Sequence, residues 1–226
     1  MNTNENFQIG CDYALNAIMP MTENKRPKIS CVIPFHWMKN WPFFLERCLK
    51  SIEQQTFKDY EIILLKKGRM GETYNEAIRQ SKGEIIKLMG MDDYFYHENA
   101  LGELAMFFES YPEIWWMISP CLHTDGINVG NLHIPAWNAK LYEGNNTVGG
   151  FACVTIRNKD IPLINEDLDW VVDVDWYWRI YLAHGIPRVT ENPNVVIGVG
   201  LHQTSNTLSQ DQKDKEYEYV RKTYGK

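Results

Sequence analysis

The sequence of residues 84–94 is EIIKLMGMDDY, a short apolar run that ends in two adjacent carboxylates, Asp92 and Asp93. A short apolar run bounded by glycine is typical of a buried strand. A strand that stops at paired acids places negative charge at a sheet edge, where open α/β folds bind their ligands. Buried carboxylates lose hydration, so a neighbouring pair needs water, a hydrogen-bond donor or a cation. Two interpretations stay open at this point: a divalent metal that carries a phosphate, and a solvated Asp-Asp turn.

The segments around this strand alternate between strands and amphipathic helices. Apolar residues recur at helical spacing in the predicted helices and form short continuous runs in the predicted strands. The predicted order is a strand at 28–35, a helix from Pro42, a strand at 60–65, a helix at 72–81, the strand before Asp92 and a helix at 98–109. This order favours an α/β fold with a mostly parallel central sheet flanked by helices.

The second half of the chain is less regular. Its predicted elements are strands at 114–118, 151–156 and 195–199, a helix at 173–184, and a helical pattern in the charged segment 211–226. The Gly/Asn-rich region 124–150 is predicted to be a loop, and so long a loop inside a compact domain is usually functional.

The composition narrows the function classes. A net charge of −6 provides no broad basic surface, which argues against non-specific nucleic-acid binding. The apolar runs are too short to span a bilayer, and the first residues lack the pattern of a signal peptide. The five cysteines show no paired spacing of a metal finger or disulfide framework. We therefore expect a soluble, cytoplasmic protein without a transmembrane segment.

Three strings precede the acidic pair: ISCVIPF at 29–35, FLERCLKSIEQQTFKDYEIILL at 44–65 and YNEAIRQSKGE at 74–84. Together with the strand ending at Asp92-Asp93, they resemble the family 2 glycosyltransferases of the GT-A fold. The resemblance covers residues 28–109 and continues more weakly to residue 209. It implies a nucleotide-sugar-binding half at 28–110 and an acceptor-binding half at 111–209 of the same domain. An N-terminal extension at 1–27 and a charged helical tail at 210–226 complete this division.

The resemblance implies a nucleotide-sugar donor, most often a UDP-sugar, with Mn²⁺ or Mg²⁺ at its diphosphate. The acidic metal motif of the family falls on residues 90–92, and its first acid is Gly90 here. Carboxylate oxygens and neutral imidazole suit these cations. The implied metal ligands are Asp92, Asp93 and His202. The implied donor-binding residues are Pro34, Phe35, Lys66, Lys67, Asp92, Gly149 and Gly150.

Lys66 and Lys67 depart from the family pattern, which has acids at the end of the second strand. Two interpretations stay open for them. They either supply positive charge to the donor diphosphate or form a solvated basic loop.

The segment DWVVDVDWYWRI at 169–180 resembles the acidic segment at the head of the acceptor-side helix. Aligning Arg179 with the family's arginine puts Asp173 at the general base of the inverting members, with Asp175 in reserve. A base must lie within hydrogen-bond reach of the acceptor hydroxyl, and a helix N-terminus keeps a carboxylate ionised. The alternative is ordinary N-capping by Asp173.

Candidate acceptor contacts are aromatic, because sugar rings stack their C–H faces on tryptophan. The predicted acceptor contacts are Trp137, which lies in the predicted loop, and Trp170. Gly149-Gly150 resembles the small-residue turn that lines the sugar pocket, although it also fits a plain turn before a strand.

The motifs and the resemblance together predict a metal-dependent glycosyltransferase that acts on a hydroxyl of a glycan or another compound. The resemblance implies inversion, and retention, which needs no base at Asp173, stays open as the alternative. A catalytically inactive nucleotide-sugar-binding module would explain both Gly90 and the two lysines. A hydroxylated DNA base is an unusual alternative acceptor, and the negative charge disfavours it. A nucleotidyltransferase would need a Gly-rich phosphate loop after the first strand, where this chain has Phe35-His36-Trp37.

Overall fold

The computed structural model describes residues 26–38, 40–201 and 203–225. The ten strands of this part are β1 Ile29–Pro34, β2 Tyr60–Leu65, β3 Ile85–Leu88, β4 Tyr94–Phe95, β5 Trp116–Ile118, β6 Cys121–Thr124, β7 Val129–His133, β8 Val154–Arg157, β9 Arg188–Val189 and β10 Val195–Gly198. The five α-helices are α1 Trp41–Glu53, α2 Met70–Gln80, α3 Ala100–Ser110, α4 Val172–His184 and α5 Gln210–Tyr224.

The main sheet has six strands in the order β2-β1-β3-β8-β5-β9. Strand β1 pairs in parallel with β2 and β3, and β5 pairs in parallel with β9. Strand β8 alone runs antiparallel to its neighbours. The mostly parallel central sheet is therefore confirmed. A smaller sheet in the order β4-β10-β6-β7 lies beside it.

Side-chain alternation along the buried strands divides the core between the two faces of the main sheet. Ile29, Cys31 and Ile33 of β1 pack with α1 and α3 on one face. Val32 packs with α2, α4 and Val220 of α5 on the other. The helices thus flank the sheet as predicted, and α5 covers part of the core rather than projecting from it.

The region 124–150 is not one continuous loop. Strand β7 pairs antiparallel with β6, and a single 3-10 turn follows at Leu141–Glu143. The hairpin turn depends on Asp125, whose Oδ1 accepts hydrogen bonds from the amides of Ile127 and Asn128 at 2.8 and 2.7 Å. This local Asx-type turn forms from the same polar composition that predicts a loop.

None of the helices within the described ranges combines the length and the apolar character required to cross a membrane.

Candidate active site

The two carboxylates of the acidic turn have different surroundings. Asp93 is 6% exposed, and its oxygens accept hydrogen bonds from the amides of Gly90 at 2.7 Å and Gly198 at 3.1 Å. Burial, and then the charge of Asp92, raise the pKa of Asp93 to about 7. Asp92 is only half-buried, and Arg47 donates to its backbone carbonyl at 2.7 Å. Asp93 therefore fastens the turn to β10, while Asp92 is the more accessible acid.

Gly90, which falls on the first acid of the metal motif that the sequence resembles, is closely surrounded by these carboxylates. A Cβ at this position would lie 2.7 Å from Oδ2 of Asp93 and 2.8 Å from Oδ1 of Asp92. The turn thus has no room for a side chain at residue 90 as long as Asp93 keeps its bonds. Glycine permits this close approach.

The residues of the acidic turn fit a particular kind of cation site. The described part of the chain contains no group of three or more His, Cys, Asp or Glu side chains arranged to hold a metal. Mg²⁺ and similar cations are, however, commonly held by one or two carboxylates together with substrate phosphates. Asp92 offers one such carboxylate, and Asp93 is engaged with backbone amides. His202, the third ligand predicted from sequence, lies outside the described residues.

The residues after β1 and β2 form an aromatic and basic wall. Pro34 ends β1, and the buried Phe35 donates its amide to the carbonyl of Leu65 at 2.8 Å. Trp37 contacts Phe35 edge-to-face at 5.0 Å between ring centroids, and Nζ of Lys66 lies 4.9 Å from the Trp37 ring. A cation above an aromatic face is attractive. Lys66 is thus held against the wall that follows the two central strands.

Lys67 contacts a carboxylate rather than the aromatic wall that Lys66 contacts. Its Nζ lies 3.1 Å from Oε2 of Glu76, in an exposed ion pair with α2. The two lysines therefore differ in their surroundings, although the sequence presents them as one basic pair.

Asp173 lies in the first turn of α4, beside the Gly149-Gly150 turn. Its Oδ2 accepts a hydrogen bond from Asn146 at 2.7 Å, and its Oδ1 accepts one from the amide of Val174 at 2.8 Å. Burial raises its pKa to about 6, against the lowering effect of these donors. The carboxylate is therefore a stronger base than an exposed aspartate, yet it is mostly ionised at neutral pH.

Gly149 connects this carboxylate to the rest of the site. Its φ is +96°, and a Cβ would lie 2.9 Å from Sγ of Cys153, so both conformation and space favour glycine. The Gly149 carbonyl accepts hydrogen bonds from Asn146 and from the Tyr177 hydroxyl, both at 3.0 Å. The turn and the first turns of α4 thus share one network.

Asp175 faces away from this network. It is fully buried, and its Oδ2 lies 2.7 Å from Nε of Arg179. The hydroxyl of Tyr224 in α5 donates to its Oδ1 at 2.6 Å. Both oxygens are therefore occupied in a contact between α4 and α5.

The two tryptophans selected from sequence occupy different environments. Trp170 lines a pocket of about 220 Å³, and its Nε1 has no hydrogen-bond partner among the described residues. Trp137 instead belongs to an aromatic cluster with Trp116, Trp178 and Tyr181, at centroid distances of 4.9 to 5.8 Å. The pocket is lined by Gly144, Asn146, Asp169, Trp170, Val171, Asp173, Val174 and Tyr217.

Strand β10 lies between the acidic turn and the glycine turn. Its Gly198 binds Asp93, and the side chain of the preceding Ile197 lies 3.7 Å from the Cβ position of Gly150. Strand β10 therefore contacts both the acidic turn and the Gly149-Gly150 turn, and Asn146 joins the latter to Asp173. Two residues were not predicted from the sequence: Asn146, which belongs to an Asn-Asn-Thr triplet, and Lys87, which lies within the apolar run of β3.

No protein-family model matches the chain, and no curated protein sequence matches it. Solved structures do. Residues 1–349 of TarS from S. aureus match with a TM-score of 0.57 and 17% identity over 76% of this chain and 60% of that chain. The complex of the same TarS segment with UDP-GlcNAc matches with a TM-score of 0.64 and 15% identity, over 85% of this chain and 65% of that chain.

The mannosyltransferase PcManGT from Pyrobaculum calidifontis, in complex with GDP-Man and Mn²⁺, matches with a TM-score of 0.52 and 13% identity. The match covers 98% of this chain and 71% of that chain. In the two TarS matches, by contrast, this chain spans less than two thirds of the TarS chain. At these identities the likeness concerns the fold, and the fold of this chain is that of the GT-A glycosyltransferases.

Proposed function

We propose that this chain is a family 2 glycosyltransferase that moves a sugar from a nucleotide-sugar to an acceptor hydroxyl with inversion. The observation that carries the proposal is the position of Asp173. A partly buried carboxylate with a raised pKa lies at the wall of a pocket and in one hydrogen-bond network with the Gly149 turn. A carboxylate with these properties suits removal of a proton from a hydroxyl.

In the proposed reaction the acceptor occupies the pocket between Trp170 and Tyr217, with its hydroxyl directed at Asp173. The hydroxyl oxygen attacks the anomeric carbon of the sugar as Asp173 takes its proton, and the nucleoside diphosphate leaves. Asn146 orients the carboxylate by donating to Oδ2, and the amide of Val174 in the helix donates to Oδ1. Direct displacement of this kind inverts the anomeric centre.

The donor would lie across the ends of β1 and β3, with its base near Phe35 and Trp37. UDP-sugars are the first donors to test, since the matched TarS structure holds UDP-GlcNAc. Mn²⁺ or Mg²⁺, held by Asp92 and the donor diphosphate, would neutralise charge on the leaving group. Lys66 adds positive charge on the same side of the sheet.

A panel of nucleotide-sugars, each with and without Mn²⁺, tests the proposal through thermal shift and released nucleotide. We expect one donor class to raise the Tm with Mn²⁺ and to release nucleotide when an acceptor hydroxyl is supplied. Failure of every donor in both readouts would refute the enzyme and its donor site together.

A catalytically inactive nucleotide-sugar-binding module is the second candidate. Gly90 and the engagement of Asp93 with backbone amides favour it, because residue 90 has no carboxylate and both oxygens of Asp93 already accept hydrogen bonds. Such a module would show donor-induced stabilisation without turnover, and Asp173→Asn would leave donor affinity unchanged.

A further inference from the structure

Glu216 of α5 is a buried carboxylate that accepts hydrogen bonds from three successive backbone amides. It is 7% exposed. Its Oε2 accepts hydrogen bonds from the amides of Asp169 at 3.1 Å, Trp170 at 2.6 Å and Val171 at 3.2 Å. A carboxylate that accepts several amide hydrogen bonds is strongly held, because each bond is charge-assisted.

These amides lie immediately before the helix that carries the candidate base. Val171 is the N-cap residue of α4, and no side chain of its own caps the helix. Helix N-termini leave amides that need partners. Glu216 acts from another helix on the amides that lead into α4, and Asp173 follows Val171 by two residues.

Two further side chains, Arg69 and Gln212, hold the same segment at Asp169. Arg69, the N-cap residue of α2, binds Asp169 through Nη2 at 2.7 Å and Nε at 3.3 Å. Gln212 of α5 donates to both Asp169 and Glu216 at 3.3 Å. Residues 169–171 are thus held between the donor-side helix α2 and the C-terminal helix α5.

The C-terminal helix also contributes to the pocket itself. Tyr217, the neighbour of Glu216, lines it and lies 6.2 Å from Trp170 between ring centroids. The hydroxyl of Tyr217 donates to the carbonyl of Gly144 at 3.1 Å, on the segment that leads to Asn146. One turn of α5 therefore contacts both the backbone before Asp173 and the segment before its hydrogen-bond donor.

We propose that Glu216 is a positioning residue, which sets the location of Asp173 and of Trp170 by holding the backbone at 169–171. The proposal rests on the function proposed above, in which Asp173 is the base. It assigns the C-terminal helix to the acceptor side of the site and leaves the donor side at β1 and β3 independent of it.

The test compares Glu216→Gln and Glu216→Ala with Glu218→Gln, a matched control on the same helix whose partner is the exposed Lys222. Steady-state kinetics with the donor found in the panel give kcat and the KM of each substrate. We expect Glu216→Ala to lower kcat about tenfold or more and to raise the acceptor KM, with the donor KM within about twofold. Glu216→Gln keeps one acceptor oxygen and should recover part of kcat, and Glu218→Gln should match the unmodified protein.

Amide hydrogen exchange at residues 169–171 separates this proposal from the function it rests on. We expect slow exchange in the unmodified protein, fast exchange in Glu216→Ala and no change in Glu218→Gln. Turnover in a folded Glu216→Gln or Glu216→Ala protein that equals the control overturns the proposal. So does equal exchange in all variants, a result that can be read even where no donor is turned over. A parallel loss of kcat and donor binding in both Glu216 variants also overturns it, since that indicates general loosening of the fold.

Discussion

Asn146 donates from its Nδ2 to Oδ2 of Asp173 at 2.7 Å, and the same side chain accepts from the amide of Gly149 at 3.1 Å. One amide side chain therefore joins the glycine turn to the candidate base. The first-turn position of Asp173 alone would also suit an ordinary helix cap. The contact with Asn146, the pocket and the raised pKa are what distinguish it.

The first prediction concerns the pH dependence of turnover. Asp173 must be ionised to accept a proton, so kcat/KM should fall tenfold per pH unit below an apparent pKa of about 6. The other titratable groups around it are Asp169 and Tyr217 in the pocket and Tyr177 on α4. Asn146→Ala removes a donor that lowers the pKa of Asp173, so the acid limb should move to higher pH. Asp173→Asn should lower kcat about 100-fold to 10,000-fold. A pH profile that is identical in the protein and in Asn146→Ala would contradict this assignment.

The second prediction links activity to stability. The pKa of Asp173 is about 6 in the folded protein and lies near 3.8 in an unfolded chain. Between these values the folded state binds a proton that the unfolded state has released, so the residue's contribution to stability falls as pH rises. Asp173→Asn should therefore stabilise the fold by about 1 kcal/mol above pH ~6, after allowance for weakened hydrogen bonds.

Urea unfolding of both proteins at several pH values checks this stabilisation. The difference in unfolding free energy should develop between about pH 4 and pH 6 and stay constant above. Asp175→Asn is the control, because it breaks the buried contact with Arg179 and Tyr224 and should destabilise at all of these pH values. A stability difference for Asp173→Asn that does not depend on pH would refute the raised pKa.

Much of the secondary structure in residues 28–110 was predictable, because it follows from patterns within each short segment. Strand β2 begins and ends at the predicted residues 60 and 65. The apolar residues at helical spacing in α1 are all buried, namely Leu45, Cys48, Leu49 and Ile52. The details of the site depend instead on contacts between distant residues. Asn146 and Asp173 are 27 residues apart, and Asp93 and Gly198 are 105 apart. Likewise, Asp173 and Asp175 occupy equivalent first-turn positions in sequence, and their surroundings differ through contacts with distant segments, Asn146 for Asp173 and Tyr224 of α5 for Asp175.

The third prediction tests the acidic turn. In Gly90→Ala the new methyl group would lie 2.7 Å from the Asp93 oxygen that the Gly90 amide binds. Asp93 must then leave a position where it is buried and bonded at both oxygens, at a cost of about 1–3 kcal/mol. Gly130→Ala is the control, because no atom lies within 4 Å of its Cβ position. Chemical unfolding should show a loss for the first variant and almost none for the second. Equal effects would mean that Asp93 does not depend on an empty position at residue 90.

The last prediction concerns Lys87, a fully buried lysine on the central strand β3. Its ammonium donates to the carbonyl of Ala152, in the 3-10 turn that follows Gly150. Burial lowers the pKa of Lys87 from 10.5 to about 8, and the facing titratable groups are Cys153, Cys31, Asp93 and Cys121. Between these pH values the unfolded chain holds a proton that the folded protein has lost, so the contribution of Lys87 to stability rises with pH.

The free energy of unfolding of Lys87→Met should therefore fall relative to that of the unmodified protein as the pH increases from about 8 to about 10.5. The relative fall should be at most about 3 kcal/mol. Denaturant unfolding at pH values across this interval gives the difference directly, and effects of other titrating groups largely cancel in it. The exposed Lys50→Met is the control and should show no such rise. A constant difference between Lys87→Met and the unmodified protein would mean that the buried amine keeps its ordinary pKa. Burial would then have been compensated by the charge of Asp93 and the Ala152 carbonyl, and the sheet beneath the acidic turn would carry a permanent positive charge.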